Sequence, residues 1–367
     1  MEKVLKCGKN HQTCRPTSKV CPRTKPSVKD PLAFPLQNFP VYKPQLPPLP
    51  PPFHFQPSTI MKKIHVPLLA GVLLSFLSTT AQAKDCGKVL EVGKKPESVC
   101  KGFGGKLYVT IIGGDEPGDG SVAVIDGDKV ETFAKGLDNP KGIAFVKGAL
   151  VTTDGTKVVK INGKGKVSVL AEAKDFPAEI EFLNDVAASR DREAVYVTEM
   201  SHPKRMFNPE GDRELWPLGS EHEKNLPKTG CVYKISLDGK IEVAVPAGNK
   251  LMPGPNGVTV GGSKEKPFLA MADFFTGNVV RYTDGKFRPV AKNLLRGGDA
   301  IEFGKGGVVY VSSWTEGKVI AYNIKEKKAT TVIDGLTSAA DFYYDRKANQ
   351  LVVPDMLEGK LHFVYLK

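Results

Sequence analysis

The stretch MPGPNGVTV, Met252–Val260, places a cluster of Pro, Gly and Asn directly before a run typical of a β-strand. These residues are the usual ones in tight turns, so turn chemistry alone accounts for the composition. Five similar stretches occur elsewhere, and each joins a small-residue turn to a strand-like run. They read KPESV, NPKGIAF, LNDVAA, GGDAIEF and SAADFYY.

Alignment of the six stretches shows one repeated position, at intervals of 44, 43, 72, 43 and 42 residues. The long interval contains a polar insert, residues 201–230, which accounts for its extra length. Repeats of about 42 residues with four short strands each are typical of β-propeller blades. The repeated position is occupied by Glu97, Lys141, Asn184, Asn256, Asp299 and Asp341.

The region from Lys84 to the C-terminus is predicted to be all-β, a six-bladed propeller of four-stranded antiparallel blades. Short runs rich in Val, Ile, Tyr and Thr alternate with Asp-Gly and Asn-Gly hairpin turns, and no segment keeps a long helical period. We expect the N-terminal strand KVLEV to complete the last blade and close the ring, which removes the open edge. A β-sandwich is the alternative, but it does not explain the period.

The N-terminal part of the sequence differs in kind. Residues 1–60 contain 13 of the 28 prolines and are predicted to be disordered. Residues 61–83 have the basic, apolar and Ala-Gln-Ala regions of a signal peptide, cleaved after Ala83. This predicts a periplasmic or secreted protein without a membrane span after cleavage. We expect Met61 to be the true start and residues 1–60 a mis-assigned extension; a real disordered leader is the alternative.

The basic charge belongs mainly to this N-terminal part. Residues 1–83 carry a net charge of +9 and the remainder only +3, so the overall +12 does not indicate nucleic-acid binding. The region after Ala83 contains Cys86, Cys100 and Cys231. In an oxidising compartment Cys86 and Cys100 could form a disulfide, and buried free thiols are the alternative.

The six repeated residues are expected to converge, because the innermost strand of each propeller blade lines the central channel. Carboxylate and carboxamide oxygens are the ligands that Ca²⁺ and other hard divalent cations prefer. Without a cation, the converging carboxylates would repel one another and at least one would tend to hold a proton. The alternative is that these side chains only cap the blade loops.

The stretches LNDVAAS, GPNGVTV and GGDAIEFGKGGVVYVSSWTEGKVIAYN resemble blades of the gluconolactonase/regucalcin (senescence marker protein) family, related to paraoxonases and strictosidine-synthase-like proteins. The resemblance covers the chain from about Glu97 onward. It implies a six-bladed propeller with a divalent cation, usually Ca²⁺, in the channel. The ligands that it implies are Glu97, Asn184, Asn256 and Asp299.

Two features depart from these families. Phe182 stands where gluconolactonase-type proteins have a sugar-binding Arg, and His202, His222 and His362 do not match the paraoxonase His dyad. An aldonolactone substrate is therefore not implied. Lys141 could pair with Asp341, contact the substrate, or weaken metal binding by repulsion; the ion pair is the favoured interpretation.

Loop positions predict which residues surround the channel mouth. In a four-stranded meander, the loops between second and third strands emerge on the face that carries the repeated residues, whereas the Asp-Gly hairpins lie on the opposite face. The 201–230 insert is such a loop, which makes it a candidate lid. Candidate lid and pocket residues are His202, Trp216, His222, Phe274, Phe275 and Trp314. The alternative is that the insert packs on the surface and the aromatic residues plug the channel.

Two functions fit these features. The first is a metal-dependent lactone or ester hydrolase, with Asp299 or Asp341 as the general base towards water. The second is a non-catalytic cell-envelope propeller that binds a small molecule, or possibly an envelope protein, at the channel mouth. The fold alone does not decide between them. An open pocket that reaches the metal favours the enzyme, and a filled mouth favours the binding protein.

Overall fold

The computed structural model describes residues 86–114 and 116–366, which form 24 β-strands and very little helix. The first twelve strands are β1 (Cys86–Glu91), β2 (Pro96–Lys101), β3 (Leu107–Ile111), β4 (Gly120–Asp126), β5 (Lys129–Leu137), β6 (Pro140–Val146), β7 (Ala149–Asp154), β8 (Lys157–Ile161), β9 (Val167–Ala171), β10 (Leu183–Ala188), β11 (Ala194–Glu199) and β12 (Cys231–Ser236). The others are β13 (Ile241–Val245), β14 (Pro255–Gly262), β15 (Pro267–Asp273), β16 (Val279–Thr283), β17 (Lys286–Ala291), β18 (Gly298–Phe303), β19 (Val308–Ser313), β20 (Lys318–Asn323), β21 (Lys328–Ile333), β22 (Tyr343–Asp345), β23 (Gln350–Asp355) and β24 (Lys360–Tyr365).

These strands form six four-stranded antiparallel sheets, which are the six blades of a propeller. Blade 1 is β2–β5, blade 2 is β6–β9, blade 3 is β10–β13, blade 4 is β14–β17 and blade 5 is β18–β21. Blade 6 combines β22, β23 and β24 with β1, which is its outermost strand. The predicted fold and the predicted closure by the N-terminal strand are both confirmed.

The apolar core is divided among the interfaces between neighbouring blades. Six buried clusters each draw their side chains from two adjacent blades, so every blade is held on both faces. A seventh cluster lies outside this series. It joins the 201–230 insert to loops of blades 4 and 5. Burial of both sheet faces explains why strands such as β2, β6 and β7 are buried at nearly every position.

The inner strand of each blade is irregular near its start. In blades 1–5, the pairing with the second strand shifts by one residue between the first and fourth positions, which is the pattern of a β-bulge. In blades 1, 3 and 5 a hydroxyl group of the second strand accepts the N–H of the third residue. These hydroxyls belong to Thr110, Thr198 and Ser312. The bulge turns the second residue towards the channel without leaving this N–H unpaired.

The inner strands of neighbouring blades approach one another closely. Gly142 and Gly257 occupy the third position in blades 2 and 4. A Cβ at Gly142 would lie 2.4 Å from the Cα of Asp185, and one at Gly257 would lie 2.0 Å from the carbonyl oxygen of Asp299. Glycine is therefore needed at both positions because a side chain would push two blades apart.

The helical segments are short. They are α1 (Glu221–Asn225) and three 3₁₀ turns, at Phe103–Gly105, Ala173–Asp175 and Pro203–Arg205. Among the described residues, no helix is long and apolar enough to cross a bilayer. Cys100 and Cys231 are free buried thiols. The predicted disordered segment (1–60) and signal peptide (61–83) lie outside the described residues.

Candidate functional site

One hydrogen bond recurs in all six blades and fixes the equivalent positions. In each blade, the first residue after the second strand donates its N–H to a backbone carbonyl. In blades 1–5 this carbonyl belongs to the residue directly before the inner strand. These bonds, of 2.8–3.2 Å, are Ile112 to Lys95, Gly155 to Asn139, Met200 to Phe182, Phe274 to Gly254, Trp314 to Gly297 and Met356 to Ser338. The ring position lies two residues after each acceptor.

By this criterion, five of the six predicted ring residues are equivalent. Each is the second residue of its inner strand, is buried and belongs to a different blade: Glu97, Lys141, Asn184, Asn256 and Asp299. The sixth prediction was wrong by one residue. Two residues after Ser338 is Ala340, so Asp341 occupies the next position, which is that of Ser98 and Asp185. The sequence alignment matched Asp341 to the acidic residues of other blades, whereas the backbone hydrogen bond shows that Ala340 is the equivalent residue.

The ring contains three buried oxygen atoms with no hydrogen-bond partner. They are Oε2 of Glu97, Oδ1 of Asn184 and Oδ1 of Asn256. The amide nitrogen of Asn256 donates to Oδ1 of Asp299 at 2.9 Å, and that of Asn184 contacts Sδ of Met200 at 3.3 Å. Both amide nitrogens are therefore engaged, whereas the oxygens are free to coordinate a ligand.

Four carboxyl groups influence one another here, because Asp185 and Asp341 join Glu97 and Asp299. Burial, reinforced by Asp185, raises the pKa of Asp299 to about 8. Burial and the neighbouring carboxylates hold the pKa values of Glu97 and Asp341 well above their usual range. The protein without a bound cation therefore keeps part of this cluster protonated at neutral pH.

Lys141 is the only cation at the ring position, and it does not form the predicted ion pair with Asp341. Its ammonium group lies 4.4 Å from the ring centroid of Phe182 and 3.5 Å from the carbonyl oxygen of Asn139. Burial lowers the pKa of Lys141 to about 8, although Glu97 and Asp154 oppose this shift. Phe182, which replaces the expected Arg, thus packs against a neighbouring cation.

Asp185 is a buried group of the site that the sequence analysis missed. Its two carboxylate oxygens accept the N–H groups of Val186 at 2.5 Å and Val258 at 2.6 Å, so it links blade 3 to blade 4. Ser98 makes the equivalent link by accepting the N–H of Ile143 at 3.2 Å. The available signal was the acidic residue directly after the ring residue in LND.

A second missed set consists of buried acids at the ends of second strands. Their carboxylates accept N–H groups from the segment that leads into the inner strand of the same blade. For example, Asp273 accepts from Gly254 at 2.7 Å, and Glu199 accepts from Phe182 at 3.1 Å. The four residues are Asp154, Glu199, Asp273 and Asp355. They position the ring residues, and their recurrence at strand ends was visible in the sequence.

The 201–230 insert packs over the loops of blades 4 and 5. Phe274 and Phe275 are buried beneath it, together with Met200, Met206 and Leu215. Phe182, Phe207, Trp216 and Trp314 pack around this cluster and stay partly exposed. Phe274 and Phe275 are therefore covered core residues in this conformation, and the partly exposed aromatic residues form the rim.

The insert, which belongs to blade 3, makes polar contacts with loops as far as blade 6. Arg296, which precedes blade 5, donates to the carbonyl of Trp216 at 2.7 Å. Arg213 donates to the carbonyl of Thr337, which leads into blade 6, at 2.7 Å, and its guanidinium lies 5.5 Å from the Trp314 ring centroid. Blades 3 and 6 are opposite each other in a six-bladed ring. The insert therefore bridges half of the rim.

The two histidines of the insert occupy different environments. The His202 ring lies 5.9 Å from the Phe182 ring, which in turn contacts Lys141. His222 is exposed and stacks on Trp216 with ring centroids 3.6 Å apart. Of the predicted lid residues, His202 is thus the one placed towards the ring, whereas Trp216 and His222 form a pair at the outer surface of the insert.

The donor set at the ring is half carboxylate and half carboxamide. Within residues 86–114 and 116–366, no group of three or more His, Cys, Asp or Glu side chains is arranged to hold a metal ion. Any cation held by the ring must therefore use Asn oxygens, as Ca²⁺ does readily and softer metals do not. The three unpaired buried oxygens fit that requirement.

Comparison with known proteins supports the fold. No protein-family model and no curated protein matches the chain. Among solved structures, a gluconolactonase from Xanthomonas campestris is similar, with a TM-score of 0.55 and 14% identity, over 76% of this chain and 89% of that chain. A virginiamycin B lyase from Staphylococcus aureus, solved with quinupristin, has a TM-score of 0.49 and 14% identity, over 76% and 99% of the two chains. The resemblance to gluconolactonase-type propellers is confirmed for the fold.

Proposed function

We propose that the ring binds one Ca²⁺ or similar divalent cation through Glu97, Asn184, Asn256 and Asp299. The observation that carries the proposal is the set of three unpaired buried oxygens, on Glu97, Asn184 and Asn256. An unpaired buried polar atom costs about 1–3 kcal/mol, and evolution rarely retains three together without a ligand. Burial and the neighbouring Asp185 raise the pKa of Asp299, and a bound cation would favour its charged form.

Lys141 tunes the charge of this site. Glu97 and Asp299 supply two negative charges to the four ligands, and the ammonium group of Lys141 acts on the charge of Glu97 and of Asp154. Its contact with Phe182 holds it to one side of the ring. We therefore expect Lys141 to weaken cation affinity without abolishing it, because the remaining cluster is still acidic.

The activity that these residues support best is hydrolysis of a lactone or a similar ester. A bound divalent cation would polarise the substrate carbonyl and stabilise the developing oxyanion. Asp341 accepts a hydrogen bond from Ser98 and lies beside the ring without occupying a ring position, so we assign it as the base that takes a proton from water. Phe182, Phe207 and Trp314 would contact an apolar part of the substrate.

A second candidate is a non-catalytic binding propeller of the cell envelope. The observation that favours it is the insert, which covers Phe274 and Phe275 and bridges the rim from blade 3 to blade 6. In that case the cation would be structural, and the outer surface of the insert, including Trp216 and His222, would meet a small ligand or an envelope protein. Both candidates assume export through the signal peptide that ends at Ala83.

The test of the cation site is a calorimetric calcium titration of the protein from Lys84 onward. We expect binding near one equivalent, weakened roughly 100-fold by Asn256→Ala. The matched control is Asn162→Ala, because Asn162 is an exposed hairpin residue on the opposite face. The proposal is wrong if the parent protein does not bind calcium, or if both substitutions weaken binding equally.

Activity is then tested separately on the calcium-loaded protein with a panel of lactones and aryl esters. Hydrolysis that Asp341→Asn abolishes, while calcium binding persists, supports the hydrolase. Intact calcium binding without hydrolysis of any substrate favours the binding propeller. Since binding is measured independently, the failure of one proposal does not conceal the result for the other.

A further inference from the structure

The face opposite the ring is basic. In blades 1–5, the loops between first and second strands and between third and fourth strands lie on this face, because the inner strand starts at the ring. Blade 6 contributes only its loop between first and second strands, since its outermost strand is β1. In blades 4–6 these loops and the adjoining strand starts carry nine basic residues, which we call the basic sector: Lys264, Lys266, Lys286, Lys305, Lys325, Lys327, Lys328, Arg346 and Lys347.

The basic sector is exposed and is not neutralised. All nine residues are exposed, and none of them belongs to an ion pair in the described part of the chain. The same loops hold only three acidic residues, Glu265, Asp284 and Glu326, which leaves a net charge of +6. The rest of the region from Lys84 therefore has a net charge of −3.

The other half of the same face is also basic, but several of its lysines form ion pairs. On blades 1–3, Lys106 pairs with Asp126 at 2.8 Å, and Lys240 pairs with Glu242 at 2.7 Å. Lys147 also pairs with Glu193 on the neighbouring blade. Counted in the same way, the loops and strand starts of blades 1–3 carry eight basic and four acidic residues, a net charge of +4, whereas those of blades 4–6 carry +6 and contain no ion pair among the described residues. The small net charge of the folded region conceals a strong separation of charge.

We propose that the basic sector docks the propeller on an anionic phospholipid surface, with the ring facing away from it. Eight of the nine residues are lysines, whose compact, hydrated charges suit a diffuse layer of headgroups. The loops between the strands contain no aromatic residue, although nucleic-acid sites rely on arginine and on aromatic stacking. Ile324, 37% exposed beside Lys325, adds an apolar side chain that can enter the interface.

The geometry also fits a flat partner. The sector consists of hairpin ends from three adjacent blades, which all lie on one face of the disc. Arg346 of blade 6 donates to the carbonyl of Phe303 in blade 5, so neighbouring loops contact one another. The docking surface is independent of the cation site, because no ring residue belongs to it.

The test is co-sedimentation with phospholipid vesicles, using the protein from Lys84 onward, since all six blades and all seven apolar clusters lie within residues 86–366. Equal mixtures of phosphatidylglycerol and phosphatidylcholine are compared with pure phosphatidylcholine at about 0.1 M salt. We expect binding only to the anionic vesicles. The triple variant Lys325→Gln/Lys327→Gln/Lys328→Gln should bind them at least about tenfold more weakly.

The matched control removes the same charge from the ring face. Lys204, Lys250 and Lys292 are exposed residues of the insert and of the loops before blades 4 and 5. The triple Gln variant at these positions should bind within about twofold of the parent. A cooperative thermal unfolding transition is the check that both triple variants are folded.

Three results would overturn the proposal. The first is an absence of parent binding to anionic vesicles, and the second is an equal loss in both triple variants, which would reflect net charge alone. The third is tighter binding of a single-stranded DNA oligonucleotide than of vesicles at the same salt, with loss in the Lys325/Lys327/Lys328 variant. That result would assign the sector to nucleic acid.

Discussion

The two faces of the propeller use polar residues in opposite ways. On the ring face, Glu97, Asn184 and Asn256 hold buried oxygen atoms without partners. On the opposite face, the basic sector holds exposed charges without ion-pair partners among the described residues. Unpaired buried groups cost free energy and imply a ligand at short range, whereas unpaired exposed charges cost almost nothing and act over a Debye length. Substitutions should therefore affect stability on the first face and association on the second.

The largest effect is expected beneath the insert. Phe275→Ala removes a fully buried ring from the seventh cluster and should lower the free energy of unfolding by about 3–5 kcal/mol in urea titrations. Leu218→Ala is the control, since Leu218 is an apolar residue of the same insert that is 36% exposed, and its effect should stay within about 0.5 kcal/mol. Small and equal losses of unfolding free energy in both variants would show that the insert does not form a packed core.

Calcium should stabilise the ring face by the next largest amount. At a free concentration about 100 times Kd, binding to the folded state alone adds about 2.7 kcal/mol to the free energy of unfolding. Thermal unfolding with and without calcium measures this increase, which Asn256→Ala should remove and Asn162→Ala should keep. A calcium effect that survives Asn256→Ala would place the cation elsewhere.

The pH dependence of the calcium-free protein tests the buried carboxyl cluster. Asp299 has a pKa of about 8 when folded and an ordinary one when unfolded, so between these values the folded state holds the extra proton. Its stability contribution is complete at low pH and is lost as pH rises, with a slope of about 1.4 kcal/mol per pH unit for one proton.

Lys141 reverses this trend at higher pH. Its folded pKa, lowered to about 8, means that the folded state holds fewer protons than the unfolded chain above that pH. We therefore expect a minimum of stability near pH 8 in chelator-treated protein, measured by urea unfolding across the pH range. Asp299→Asn should flatten the acidic side of this curve, and a rise in stability from about pH 5 to pH 8 would contradict the assignment.

The smallest effect on stability is expected on the opposite face. The Lys325→Gln/Lys327→Gln/Lys328→Gln variant should change the free energy of unfolding by less than about 0.5 kcal/mol, because these exposed side chains have no ion-pair partner to lose. Urea titration beside the parent protein measures this difference. A loss above about 2 kcal/mol would show that the sector stabilises the fold.

Much of the architecture was readable from the sequence. The 42-residue period predicted six blades, and the strand KVLEV predicted the closure of the ring. Five ring residues were also found, because the same turn precedes each inner strand. Asp341 was misplaced by one residue because matching side chains cannot reveal a bulge, whereas the recurring backbone bond that ends at Ser338 can. The predicted ion pair between Lys141 and Asp341 does not form. Lys141 occupies the ring position of blade 2, whereas Asp341 lies one residue after the ring position of blade 6.

The sequence by itself determined the blade count, the strand order and the types of donor atom at the ring, since periodicity and turn chemistry are local properties of the chain. Only the tertiary structure decided the roles of Asp185, the insert and the basic sector. Asp185 spans two blades, the insert reaches residues more than a hundred positions away, and the nine cations gather from five separate loops. Such arrangements depend on which distant segments come into contact. Composition and net charge are sums over the whole chain and do not contain this information.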